Sequence, residues 1–191
     1  MSLPAMHPRP GNLRAVAEQV ESATGLRVQI LGGNLVMSPP RRGVHAGTIR
    51  RIRQQIEPRI PQGLAAFENT SIPIPDDHDD YCTPDLIVLP ESWEDDDEWL
   101  ADAADVELAV EVISMSEKAR LITDKNGWYA VAGVKMLLVI DPRLGTWALH
   151  TDPEDGVYRG NLCGTFGDTI TLPEPFGFDL DSGSLARYGD S

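Results

Sequence analysis

Apolar residues recur at helical spacing from Asn12 to Thr24, where Leu13, Val16, Ala17 and Val20 share a face and Gly25 supplies a stop. Two short apolar runs, Leu26 to Ile30 and Asn34 to Met37, flank Gly32-Gly33 and predict a β-hairpin, with Pro39-Pro40 ending its second strand. Residues 44–59 predict a second helix with a narrow stripe of Ile49, Ile52 and Ile56. Strand character follows at Leu64 to Ile74 and Pro84 to Leu89. It returns at Val106 to Ile113, where Val106, Leu108, Val110 and Val112 alternate onto one side. Residues 117–132 suit a third helix stopped by Gly133. Val134 to Ile140 is strongly apolar and β-like, and Gly145 turns the chain into Thr146 to His150 as an antiparallel partner. The tail carries weaker strand signals near Tyr158 and from Thr169 to Leu172.

The resulting string is α, β-hairpin, α, three β, α, two β. Strands and helices mix without regular alternation, which favours α+β or a mixed-sheet α/β domain over a doubly wound fold. The 191 residues, 41% of them hydrophobic, suffice for one domain with a real core. No repeat and no linker-like stretch divides the chain. Gly32-Gly33 lacks the rest of any phosphate-loop fingerprint. No apolar run approaches membrane-spanning length, and Met1 to Pro10 lacks the pattern of a secretory signal; the default expectation is a soluble cytoplasmic protein. Two cysteines, Cys82 and Cys163, without partner spacing argue against a disulfide scaffold or a zinc site.

Charge changes the picture. The formal net charge is −14, and Asp76 to Glu107 holds fourteen acids with no Lys or Arg, which accounts for the whole deficit. Residues 1–75 hold nine Arg against four Glu. An acidic chain is a poor non-specific nucleic-acid binder, because phosphate affinity comes from Lys and Arg. A nucleic-acid role therefore needs the basic N-terminal part or a metal. Arg41, Arg42, Arg50, Arg51 and Arg53 could grip phosphates, with Arg50 and Arg53 on one helix face; they could equally form a solvated face or answer the acidic segment 91–105. Trp93 and Trp99, set among those acids, suggest packing against the core or a subunit contact.

Three residues carry candidate chemistry. Asp85 follows Pro84 at the start of an apolar strand, Glu111 interrupts the apolar strand ELAVEVIS, and Lys125 lies on the next helix in TDKNGWY. A carboxylate inside an apolar strand is costly to bury unless it is paired or binds a cation. Two on neighbouring strands could hold Mg²⁺, and a nearby lysine could orient an attacking water or stabilise phosphate charge. Read singly, Asp85 also fits a strand-entry turn, Glu111 an exposed strand end and Lys125 a solvated helix position. Glu107 is a second candidate ligand on the strand face of Glu111.

The runs PDLIVLP, VELAVEVIS and DKNGWYAVAGVKMLLVIDP, in that order, resemble the bacterial Uma-two family, often described as restriction endonucleases, of the PD-(D/E)XK nuclease superfamily. The likeness extends upstream through LGGNLVMSPP and GVHAGTIRRI and covers roughly residues 12–150. The resemblance implies a restriction-endonuclease-like central mixed sheet flanked by helices, with residues 1–191 as one domain whose core is about 12–150 and whose C-terminal extension is 151–191. It maps the superfamily aspartate onto Asp85 and the glutamate onto Glu111. The lysine's usual place, two residues on, is Ile113 here, so the lysine moves to Lys125, one helical turn before Tyr129. An aspartate frequent early in this helix is replaced by Leu121. The resemblance further implies Mg²⁺, or Mn²⁺, held by Asp85, Glu111 and the Val112 carbonyl. His45, Glu68, Glu107 and Tyr129 would line the site, Arg50 and Arg53 would contact phosphates, DNA would be the substrate, and the chain would form a homodimer. A non-enzymatic binding or assembly module on the same fold is the alternative that the acidic charge favours. A phosphohydrolase acting on small substrates is a third reading.

Overall fold

The computed structural model describes residues 12–38, 40–75 and 77–189; the stretch Met1 to Pro10, read above for a signal, and Pro39, read as a strand end, lie outside them. Helix α1 spans Asn12–Thr24, where the periodicity placed it. Strands β1 (Arg27–Leu31) and β2 (Asn34–Ser38) form the hairpin. Gly32 and Gly33 turn it with φ of 57° and 72°, the left-handed pair that a two-residue hairpin turn requires. Helix α2 spans Gly43–Ile56 and is continued by one 3-10 turn to Arg59.

The predicted strand from Leu64 to Ile74 is two strands, β3 (Leu64–Phe67) and β4 (Ile72–Ile74), in different sheets. Asn69 adopts φ 61°, and this left-handed residue breaks the extended run. A strand with little apolar signal follows: β5, Asp77–Cys82, whose sequence DHDDYC is half acidic although its last three residues are buried. Next come β6 (Leu86–Pro90), β7 (Leu108–Val112), α3 (Ala119–Ala132), β8 (Met136–Asp141), β9 (Thr146–Glu154), β10 (Val157–Thr165), β11 (Thr169–Leu172) and β12 (Phe178–Asp181).

The central sheet has the order β10-β9-β8-β7-β6-β3 and is antiparallel except for the parallel pair β7–β8, which α3 connects. It is thus a mixed sheet. One face, carrying Leu86, Val88, Leu108, Val110, Leu138 and Ile140, packs on Ile49, Ile52 and Ile56 of α2. The other, carrying Ile87, Leu89, Ala109, Leu137 and Val139, packs on Trp128, Tyr129 and Ala132 of α3. Alternation of side chains along each strand produces the two faces. A smaller sheet, β2-β1-β5-β4, packs beside α1 through Ala17, Val28, Ile30 and Tyr81. Residues beyond 150 join the same core: Ile170, Leu172, Phe176, Leu180 and Leu185 are buried on the α2 face. Trp99 meets Tyr81 edge-on with ring centroids 5.0 Å apart and lies under the Arg14 guanidinium, so it packs within the chain. Cys82 and Cys163 are both free thiols. Among the described residues no helix is long and apolar enough to cross a membrane.

Candidate active-site cleft

The junction between the two larger sheets positions the site. Chain leaves β5 at Cys82, crosses Thr83 and Pro84, and enters β6. The β6–β7 register pairs Leu86 with Val110, and Asp85 lies one residue before β6 while Glu111 lies one residue after Val110 on β7. The Asp85 N–H donates to the Val110 carbonyl at 3.0 Å and ties the aspartate to β7. The two carboxylates that the sequence singled out therefore belong to one end of one sheet, and both are buried.

Lys125 and Tyr129, one turn apart on α3, both reach Glu111. The Lys125 Nζ lies 3.0 Å from Oε2, and the Tyr129 hydroxyl donates to Oε1 at 2.5 Å. The Cys82 thiol lies beneath, 3.1 Å from the Tyr129 hydroxyl and 2.9 Å from Gln29 Oε1. Burial pushes Glu111 above the usual glutamate range; Lys125 and the Tyr129 hydrogen bond pull it back, while Asp85 and Glu117 push it further up. Burial works against the Lys125 charge, but Glu111, Cys82 and Glu117 outweigh it and hold the ammonium above the ordinary lysine range. The buried Cys82 thiol is also pushed up, chiefly by burial.

Asp85 has a different shell. Its Oδ2 accepts the Val112 N–H at 2.9 Å and lies 3.1 Å from His45 Nε2; its Oδ1 lies 2.9 Å from Arg41 Nη2 and 3.7 Å from Arg27 Nη1. Burial alone would raise its pKa. The adjacent His45 ring, the Arg41 charge and the Val112 N–H overcome that and hold it below the usual carboxylate range.

Above these groups opens a cleft of about 470 Å³, lined among others by Arg27, Arg41, Arg42, His45, Asp85, Glu111, Val112, Glu117 and Lys125. Its lining sets Arg27, Arg41, Arg42 and Lys125 against Asp85, Glu111 and Glu117, a near balance of charge in a chain that is acidic as a whole. The structure thus brings Asp85, Glu111, Lys125, Val112, His45 and Tyr129 together. Glu68 stands behind the rim, 3.5 Å from Arg41 and 3.2 Å from Arg53.

Other candidates lie elsewhere. Glu107 pairs with Lys135 at 2.6 Å, four residues down the strand run from Glu111 and away from the cleft. Arg53 is taken by Glu57 at 2.6 Å and by Glu68, and Arg50 reaches Gln54 at 3.2 Å; neither lines the cleft. Leu121 packs against the apolar cluster under α3.

Several lining residues carried no signal in the sequence. Arg27, Gln29 and Tyr188 are among them. The Tyr188 hydroxyl donates to the Ile113 carbonyl at 3.2 Å and brings the C-terminal segment to the cleft wall. Glu117 precedes α3 in a loop, where an acid ordinarily reads as solvated.

The donor set bears on what the cleft can hold. Among the described residues no three His, Cys, Asp or Glu side chains converge as a metal cage. Two buried carboxylates beside a water-accessible cleft are hard oxygen donors, the set that Mg²⁺ takes when it keeps several waters. The residues present therefore fit a divalent cation of that kind.

A family model described as "Uma2: Putative restriction endonuclease" matches residues 16–183. Among solved structures, the chain is similar to a putative nuclease belonging to DUF820 from Anabaena variabilis ATCC 29413. That match has a TM-score of 0.68 at 18% identity and covers 85% of this chain and 90% of that one, a likeness of fold. No curated protein matches the chain.

Proposed function

Because the chain belongs to the Uma2 putative restriction endonuclease family, we propose that it is a metal-dependent nuclease that hydrolyses phosphodiester bonds of DNA in the Asp85–Glu111 cleft. The observation that supports this most is the two buried carboxylates lining one cleft, with the Lys125 ammonium 3.0 Å from one of them and Arg27, Arg41 and Arg42 around the rim. Asp85 and Glu111, with the Val112 carbonyl, would hold Mg²⁺ or Mn²⁺. When bound, the cation supplies a water of lowered pKa and neutralises charge gathering on the phosphate.

The rest falls to the chain's own groups. His45 and the Val112 N–H fix the Asp85 carboxylate. Tyr129 holds one Glu111 oxygen and leaves the other to Lys125. The Lys125 ammonium, kept charged, faces the position of a scissile phosphate and its attacking water. The arginines at the rim attract the backbone locally despite the charge of −14. That global charge supports a second reading, a binding or assembly module on the same fold.

The test is cleavage of supercoiled plasmid, single-stranded DNA and RNA in Mg²⁺ or Mn²⁺ and in EDTA, with Asp85→Asn and Glu111→Gln as controls. We expect metal-dependent nicking that falls at least ~100-fold in each variant, the upper end of what loss of an outer-shell partner costs a metal site. Cation binding without cleavage of any of the three would favour the module. Cleavage that survives in both variants would place the chemistry elsewhere.

A further inference from the structure

Glu117 is the cleft carboxylate to which the reaction above gives no task. Its side chain is only 8% exposed. Its Oε2 accepts the Ser114 N–H at 3.2 Å and the Ser114 hydroxyl at 3.4 Å. Its main chain is pinned as well, since its carbonyl accepts Arg143 Nη1 at 2.5 Å. Its Oε1 is buried and has no hydrogen-bond partner, yet lies 3.6 Å from Lys125 Nζ. A buried acceptor left unpaired is costly, and a carboxylate more so. The Lys125 ammonium has three donors. Glu111 takes one at 3.0 Å, and Glu117 waits just outside bonding distance.

Resting on the metal-site reading above, we infer that Glu117 is a second berth for Lys125: the ammonium rests on Glu111 in the metal-free site and moves onto Glu117 Oε1 once Glu111 is committed to a divalent cation. Two cations on one buried carboxylate repel strongly, because the interior screens them poorly. The shift from 3.6 Å to an ordinary charge-assisted bond of about 2.8 Å is under an ångström, within rotamer adjustment of a lysine. Without Glu117, a displaced ammonium would have to leave the cleft or stay and oppose the cation. With it, Lys125 stays charged and close to the phosphate position. Glu117 is then a positioning residue acting through Lys125, and its rigid anchoring by Ser114 and Arg143 suits that task.

Two measurements test this. In metal-free buffer with EDTA, thermal unfolding of Glu111→Gln, Glu117→Gln and the double variant reads whether the two carboxylates substitute for each other. Each single variant leaves the ammonium one carboxylate; the double strands it. We expect the double variant to lose about 2–4 °C in Tm beyond the sum of the singles. Failure of the double variant alone to fold counts as the same non-additivity. Calorimetric titration with Mn²⁺ then compares wild type, Glu117→Gln and Glu117→Asp. Affinity should weaken about tenfold or more in Glu117→Gln, with part of the loss recovered in Glu117→Asp. Additive Tm losses, or an unchanged Mn²⁺ affinity in Glu117→Gln, would overturn the second berth while leaving the metal site standing. A wild type that binds no Mn²⁺ would overturn the metal-site reading itself, and the transfer with it.

Discussion

Asp85 and Glu111 share one end of the central sheet, yet the fold gives them opposite electrostatics. Asp85 has Arg41, Arg27, His45 and the Val112 N–H around it, so its charged form is favoured despite burial. Glu111, just as buried, lies against α3 with one cation and a tyrosine, and burial wins: its charged form is disfavoured. Two carboxylates with separated affinities for protons are a common arrangement where one site must both hold charge and respond to it. Here the separation comes from location. Asp85 is reached by side chains from β1 and from the entry to α2, whereas Glu111 is reached only from α3 and the core beneath it.

The contrast predicts a graded series. Lys125→Met should be the most disruptive. It removes the one cation paired with buried Glu111, and breaking a buried pair costs about 3–5 kcal/mol. Denaturant unfolding checks this, and the loss should shrink toward acidic pH as Glu111 takes up a proton instead. Tyr129→Phe should cost less, about 1.5–3 kcal/mol for a hydrogen bond to a charged acceptor, read by the same method. Arg41→Gln should cost least, under about 1 kcal/mol. Its side chain is 24% exposed at the cleft, so the ion pair is partly screened. Asp85 also keeps His45 and the Val112 N–H. If Arg41→Gln proved as damaging as Lys125→Met, the two carboxylates would not differ as described.

Much of this site could be read before any coordinates, and the reasons are local. A carboxylate inside an apolar strand is conspicuous, so Asp85 and Glu111 stood out. The family resemblance pointed to Lys125 and Tyr129, helical spacing put them on one face, and both reach Glu111. Strands β6, β7 and β8 announced themselves because they are buried on both faces and therefore apolar throughout. What escaped notice depends on long-range placement. Strand β5 is written in acids, and only its pairing between β1 and β4 makes it a strand. Arg27, fifty-eight positions before Asp85, and Tyr188, at the far end of the chain, arrive at the cleft by topology that no short pattern encodes. Glu107 shows the converse error. It shares an apparent strand face with Glu111, but β7 begins after it, and Lys135 claims it.

The smallest effect, and the sharpest on the comparison, is the sign of two pH dependences in metal-free protein. Asp85 has a lowered folded pKa, so the folded state binds its proton less readily than the unfolded chain. Its contribution is present above the unfolded value of about 3.9 and is lost as pH falls through the lower folded value. Asp85→Asn should therefore flatten the acid limb of the stability curve. Glu111 has a raised folded pKa, so from its unfolded value of about 4.3 upward the folded state holds the extra proton, and stability declines as pH rises through that window. Glu111→Gln should remove that decline, leaving the variant relatively better off with rising pH than the wild type. Urea unfolding free energies measured from about pH 2 to 8, with each variant subtracted from the wild type, should give slopes of opposite sign, the Asp85 slope below about pH 4 and the Glu111 slope above it. Slopes of the same sign would mean that the strand-entry aspartate and the strand-end glutamate share one environment. The division of the cleft into a cation-ringed aspartate and a desolvated glutamate would then have to be abandoned.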